Sequence, residues 1–302
     1  MRSWLFVPGD SEKKLAKSEG IPADVLILDL EDSVAPQNKA AARAMVVEYL
    51  SGRSAGSLQQ VWVRINPLDR AEAGADLSAV IPAGPDGIVL PKPRSPEDVE
   101  ILGRRIGNYE AEHELTIGCT RILPVATETP QSLFSLGEYR QCGKRLAGLT
   151  WGAEDLSAAV GATANRDQYG NWTAPYQWVR SLCLFAAHAA GVAAIDTLYA
   201  DFRDLEGLER SCTDARRDGF SGKLAIHPGQ VEVINRAFTP SADEIGRARR
   251  IVALSKQTPV REHWGWTERC WICRTCCRQK EYSRWQQEKG RDARFICRAV
   301  WP

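Results

Sequence analysis

A chain of 302 residues, 44% apolar and 25% charged, is ordinary material for one large globular domain or two small ones. Its formal charge of +1 offers no electrostatic footing for nucleic acid or for an anionic membrane surface. No apolar run approaches the roughly 18–20 residues of a membrane span, and "MRSWLFVPGD" has too short an apolar run before Pro8 and Gly9 for a signal peptide.

Taken in chain order, eight short runs rich in Val, Ile and Leu read as strands. They are "SWLFVP", "DVLILDLE", "QVWVRIN", "GIVLPK", "TRILPVATE", "RLAGLTWG", "AAIDTLY" and "GKLAIHP". Continuous apolar character, rather than alternation, suits strands buried on both faces of a parallel sheet. Between them "QNKAAARAMVVEYL", "SPEDVEILGRRIG", "TPQSLFSLGEY" and "LEGLERSCTDARRDG" read as helices. "SPEDVE" and "TPQS" place Ser or Thr before a Pro at the first helical position, a favourable start. Eight strand–helix repeats over residues 1–238 predict an α/β fold, a (β/α)₈ TIM barrel, which typically needs about 250 residues; a doubly wound open sheet is the competitor. A helix over "SADEIGRARRIVALSKQ" predicts a C-terminal extension spanning residues 239–260.

The chemistry gathers where the runs end. Asp29, Glu31 and Asp32, then Arg64 and Asn66, Lys92, Glu128, Glu154 and Asp155, and His227 each follow an apolar run. In a parallel barrel these ends converge on one face, where such enzymes carry their active sites. Glu128 and Asp155 would be neighbours around the ring, and two hard oxygen ligands with room for water and substrate suit Mg²⁺. The alternative is a structural ion pair with Arg64 or Lys92. Arg64 could grip a substrate carboxylate with both prongs, or simply neutralise Glu31. His227, in an "HP" step, could equally be a loop cap. Zinc patterns, phosphate loops and a GxSxG elbow are all lacking in this region.

"RSWLFVPG", "LDLEDSV", "VRIN", "LPK", "ATET", "WGAEDLSA" and "GKLAIHPGQV", in this order from residue 2 to 231, resemble the citrate lyase beta-subunit-like proteins. These belong to the HpcH/HpaI aldolase and citrate lyase group, which includes malyl-CoA and citramalyl-CoA lyases. The resemblance implies a Mg²⁺-dependent barrel that cleaves a short hydroxyacyl-CoA by a retro-Claisen reaction to a 2-oxo acid and acetyl-CoA. On matching motifs, Glu128 and Asp155 would hold the metal, Arg64 the substrate's carboxylate or carbonyl end, and Glu31 and Asp32 would sit beside the metal's waters. Pro8, Gly9, Lys13 and Lys14 would lie near CoA, with Lys92 and His227 also at the substrate. The group's lid over a neighbouring subunit implies a homo-oligomer, a trimer or hexamer. Hydrolysis of malyl-CoA, aldol cleavage of 2-oxo acids, and a non-catalytic CoA-ester-binding subunit are the alternative activities.

Cysteine usage divides the chain. Cys119, Cys142, Cys183 and Cys212 are scattered and read as reduced thiols of a cytoplasmic protein, but the other five lie beyond residue 269. From Ser255 onward there is no Leu, while five of the ten Trp are found there. Joining the third base of each codon to the first two of the next forces Leu at His263/Trp264 and Gly at Trp264/Gly265. The same shift forces Asp at Trp266/Thr267, Leu at Cys270/Trp271 and Asp at Trp271/Ile272, and the intervening junctions permit "DGKMLDMPHL". The group's lid carries a "DGKMxDxPHL" segment whose Asp protonates the enolate. Residues 261–302 are therefore expected to be an out-of-frame, disordered tail written over the lid, with turnover impaired. A zinc module built on Cys270, Cys273, Cys276, Cys277 and His263 lacks a second well-spaced pair.

Overall fold

The structure is a computed structural model that describes residues 1–54 and 57–257, with side chains described through residue 250. All eight strands form where the apolar runs lie: β1 (Ser3–Pro8), β2 (Val25–Asp29), β3 (Gln60–Arg64), β4 (Gly87–Leu90), β5 (Arg121–Pro124), β6 (Gly148–Thr150), β7 (Ala193–Asp196) and β8 (Gly222–Ala225). Every ladder is parallel and the order is β5-β4-β3-β2-β1-β8-β7-β6. The two outer strands meet through parallel bridges at Ile122–Leu146 and Val125–Thr150. Backbone bonds from Ile122 N to Arg145 O (2.8 Å) and from Ala126 N to Thr150 O (2.8 Å) join the same seam. The sheet thus returns on itself as a TIM barrel, and the open-sheet alternative falls away.

Helices alternate with these strands: α1 (Glu12–Ser18), α2 (Lys39–Ser51), α3 (Glu72–Val80), α4 (Pro96–Glu112), α5 (Glu154–Ala159), α6 (Ala174–Ala189), α7 (Leu205–Asp218) and α8 (Val231–Phe238). Helix α4 starts as its sequence predicts, with Ser95 extended and Pro96 at the first helical position. The "TPQS" segment does not. It forms a 3₁₀ helix, Gln131–Gln141, with Pro130 at the N-cap instead of the first helical position. The hydroxyls of Ser132 and Ser135 donate to the carbonyls of Thr129 and Ser132, three residues back, bonds that tighten the backbone locally.

Residues alternate along each strand between two cores. Trp4, Ile27, Trp62, Val89, Leu123 and Ile195 fill the barrel interior. Leu5, Leu28, Val63, Leu90, Ile122 and Leu149 point outward into the layer shared with the helices. Trp4 and Trp62 meet edge to face at 5.1 Å inside the barrel. Gly87 makes that possible, because a Cβ there would sit 2.5 Å from the Trp62 ring. Cys183 and Cys212 are buried free thiols.

Among the described residues, 1–54 and 59–238 make one compact unit, and 57–58 with 239–257 belong to a second. In the second, α9 (Ala242–Gln257) is helical. The end of the expected extension and the expected tail, residues 258–302, lie outside the described residues. No helix among the described residues is long and apolar enough to cross a membrane.

Candidate active site

Parallel register sets the first contact. It places Asp29 opposite Arg64 at the ends of β2 and β3. Arg64 donates from Nε and Nη2 to the two oxygens of Asp29, each at 2.7 Å. Asp29 also accepts from the backbone N–H groups of Glu31 and Ser33. Burial opposes its ionisation, but the Arg64 guanidinium and these donors outweigh that and hold its carboxyl below the usual range. The remaining prong, Nη1, lies 2.9 Å from Glu31 Oε2 and 3.5 Å from Asp32 Oδ2. Arg64 therefore does more than neutralise Glu31, since its planar fork is seated on Asp29 and only one edge faces the mouth.

Lys92 follows β4 with φ +49°, a left-handed conformation unusual outside glycine. That turn sends the backbone and side chain of one residue to different carboxylates. The N–H donates to Glu128 Oε2 at 2.6 Å. The ammonium donates to Glu31 Oε1 at 2.6 Å and lies 3.3 Å from Asp32 and 3.2 Å from Asp155. Burial opposes its charge, but Glu31, Asp155 and Glu128 hold the proton on Lys92 more firmly than usual.

Glu128 is buried, and its partner Asp155, in the first turn of α5, is about one-third exposed. Burial first, then the charges of Asp155 and Glu31, push the Glu128 carboxyl well above its ordinary range. Glu31 is pushed up to about 7, chiefly by burial, with Arg64 pulling the other way. The sequence "WG" before "AEDL" explains how Glu128 fits. Trp151 is buried and its indole N–H donates to Asp196 at 2.8 Å. Gly152 then passes so close that a Cβ would sit 2.7 Å from Glu128 Cγ.

Five carboxylates (Asp29, Glu31, Asp32, Glu128 and Asp155) face two cations here. Their mutual repulsion, and the raised Glu128, are what a hard divalent cation would relieve, so the donor set fits Mg²⁺. Among the described residues no three His, Cys, Asp or Glu side chains converge in a metal-binding group. A cation held by Glu128 and Asp155 would take its other ligands from water and substrate.

The other expected site residues are distributed as follows. Pro8 ends β1 beside Asp29, and Gly9 N donates to Asp29 O at 2.9 Å. A Cβ on Gly9 would collide with that oxygen at 2.7 Å, which accounts for the glycine. Lys13 and Lys14 are exposed on α1. His227 caps the short turn Pro228–Gln230, accepting at Nδ1 from Gly229 N (3.1 Å), and stacks on Phe202 at 4.7 Å. That geometry is the loop cap of the two sequence readings. Sequence reasoning missed Lys39, whose ammonium donates to Leu30 O, Glu31 O and Asn66 Oδ1 at 2.7–2.8 Å and braces the "LDLED" loop.

Residues 2–228 match the model of the HpcH/HpaI aldolase/citrate lyase family. The chain belongs to this family. It is 34% identical over 256 residues to a (3S)-malyl-CoA thioesterase of Cereibacter sphaeroides, covering 85% of this chain and 83% of that one. It is 33% identical over 270 residues to the mitochondrial citramalyl-CoA lyase of Rattus norvegicus, covering 85% and 76%. The crystal structure of CitE from Mycobacterium tuberculosis in complex with magnesium, acetoacetate and coenzyme A superimposes with a TM-score of 0.69 at 33% identity, covering 85% of this chain and 88% of that one.

Proposed function

We propose that this family member is a Mg²⁺-dependent carbon–carbon lyase acting on a short hydroxyacyl-CoA of the citramalyl, malyl or citryl type. The observation that carries the reading is the pair Glu128–Asp155 set beside an Arg64 locked on Asp29, at the C-terminal mouth of the barrel. The relatives named for CoA-ester chemistry and the magnesium and CoA in the CitE complex support it.

Mg²⁺, held by Glu128 and Asp155, would supply Lewis acidity to the substrate's hydroxyl and carboxylate oxygens. The chain's own residues do the rest. The Nη1 edge of Arg64, which faces Glu31 and Asp32, takes the oxygen on which negative charge builds as the C–C bond breaks. Asp29 keeps that edge aimed, so the donor pays no reorientation when the charge develops. Glu31 and Asp32 border the space of the metal's waters and receive the hydroxyl proton into the carboxylate set. Lys92 holds Glu128 through its N–H, and its ammonium offsets the crowding of Glu31, Asp32 and Asp155. Pro8 and Gly9 border the same mouth, where CoA would enter. The products are a 2-oxo acid and the enolate of acetyl-CoA, which must then gain a proton. The segment that donates it elsewhere in the family is overwritten in residues 261–302, so this chain should bind metal and CoA esters and turn over slowly.

The thioesterase relative favours a second reading, hydrolysis of malyl-CoA. One experiment separates the two: incubate the protein with Mg²⁺ and citramalyl-CoA or malyl-CoA, then quantify 2-oxo acid and free CoA. Cleavage gives 2-oxo acid and acetyl-CoA in equal amounts, whereas hydrolysis gives free CoA without a 2-oxo acid.

A further inference from the structure

The loop between α5 and α6 carries a cation that the chemistry above leaves unused. Arg166 and Trp172 pair as an antiparallel bridge, and Asp167 closes the turn by accepting from Tyr169 N (2.9 Å) and Asn171 N (2.8 Å). The Arg166 guanidinium lies 3.5 Å from the centroid of the Trp172 ring and 5.7 Å from that of Tyr199. Nη1 donates to Gly170 O at 2.6 Å.

The stack is anchored on both sides. Trp172 meets Trp151 edge to face at 5.0 Å, and the Tyr199 hydroxyl donates to Asp204 at 2.7 Å. A guanidinium on an aromatic face is attracted by the ring and loses rotational freedom, so its remaining edge is presented in a fixed direction. That edge belongs to the mouth of the barrel. Asn165, the preceding residue, donates to Glu154 Oε2 at 2.9 Å beside the expected metal ligand Asp155, and Tyr199 follows the end of β7.

Arg166 is half-buried, yet among the described residues no carboxylate lies within ion-pair distance of it. Arg64, at the same mouth, has three. One of five N–H donors goes to Gly170 O, and no protein acceptor among the described residues takes the others. Burial presses the Arg166 guanidinium below its ordinary proton affinity, with Tyr199, Glu154 and Asp196 opposing at longer range. A hairpin staple needs only the single bond to Gly170 O; the rest of the half-buried planar fork, held by its aromatic stack, is available to an anion.

We propose that Arg166 is a specificity-determining residue that recognises an anionic group of the substrate remote from the metal and from Arg64. The inference rests on the lyase reading. The anion is a carboxylate or a phosphate, to which the guanidinium fork is suited equally. It comes either from the acyl part, as the further carboxylate of a citryl-type substrate, or from the phosphates of CoA.

The full-length protein in Mg²⁺ is titrated calorimetrically with oxaloacetate, pyruvate, CoA and 3′-dephospho-CoA, alongside Arg166→Gln and Arg166→Lys. We expect Arg166→Gln to lose about tenfold or more in affinity, confined either to the 2-oxo acids or to the CoA ligands. Within the affected pair, a larger loss for oxaloacetate than pyruvate identifies the second carboxylate, and a larger loss for CoA than dephospho-CoA the 3′-phosphate; an equal loss within the CoA pair identifies the pyrophosphate. Arg166→Lys, a point charge without the fork, should fall between wild type and Arg166→Gln. Unchanged affinity for all four ligands, or an equal loss for all four, overturns the inference, because the arginine is then only a staple of its hairpin. If Arg166→Gln does not fold, Arg166→Lys at wild-type affinity for all four overturns it. Wild-type protein that binds none of the four in Mg²⁺ removes the lyase reading first and this inference with it.

Discussion

Substituting Gly152 by Ala tests the carboxylate site through a group that never touches substrate. The new Cβ would lie 2.7 Å from Glu128 Cγ, 3.2 Å from its Oε1 and 3.3 Å from Val125 Cγ1. Ordinary contact begins at 3.4 Å, so the Glu128 stem must retreat by about 0.7 Å. Gly152 does not occupy the left-handed region, so alanine meets no backbone strain and the effect is steric alone. Glu128 is buried and cannot swing into water, and the 2.6 Å bond from Lys92 N must stretch or break. A hydrogen bond to a carboxylate contributes about 1.5–3 kcal/mol. Expressed in the geometry offered to a cation, this weakens Mg²⁺ binding by about 10- to 100-fold. Calorimetric titration with MgCl₂, with circular dichroism confirming the fold, measures it directly. A folded Gly152→Ala protein with wild-type Mg²⁺ affinity would refute the placement of Glu128 as a ligand.

Three further outcomes follow from other parts of the fold. Asp29→Asn strips Arg64 of its bidentate partner in a buried setting; the expected cost is about 3–5 kcal/mol in urea unfolding, together with loss of substrate binding, and a variant as stable as wild type would contradict the pairing. Glu110, fully buried and bonded to Arg145 and to the N–H groups of Gly118 and Thr120, is held down to about 2 despite burial. Its folded value lies below its ordinary one, so its stabilisation of about 3 kcal/mol is present above pH 4.5 and fades as the pH falls towards 2. Glu110→Gln should flatten that stretch of the stability–pH curve, and an unchanged slope would rule the carboxylate out as its source. Gly87→Ala drives a methyl into Trp62 inside the barrel and should cost about 1–3 kcal/mol by thermal unfolding, whereas a neutral effect would mean the interior is not packed as described.

The strands were legible because a parallel barrel buries both faces, turning each strand into an unbroken apolar run such as "VLILD". Their polar ends were legible for the same reason, since chemistry could only begin where the run stopped. What the pattern concealed was conformation and pairing through space. Nothing in "LPKP" announces that Lys92 turns left-handed and divides its backbone and side chain between Glu128 and Glu31. Asp29 looked like one more strand end, and only the β2–β3 register makes it the seat of Arg64. "TPQS" carried a sound helix-start signal that serine back-bonds over the first turn converted to 3₁₀. The Asp196–Lys223 ion pair, 2.6 Å long and buried between β7 and β8, joins residues whose spacing has no sequence signature.

The central claim is that Glu128 and Asp155 hold a Mg²⁺ at which a C–C bond of an acyl-CoA is broken. It is tested most directly with protein in excess over citramalyl-CoA, so that a single slow turnover is enough to be seen. The account predicts pyruvate and acetyl-CoA in equal amounts with Mg²⁺, none with EDTA, and none with Glu128→Gln. Pyruvate formed without the metal or by Glu128→Gln, or free CoA released in its place, would contradict it.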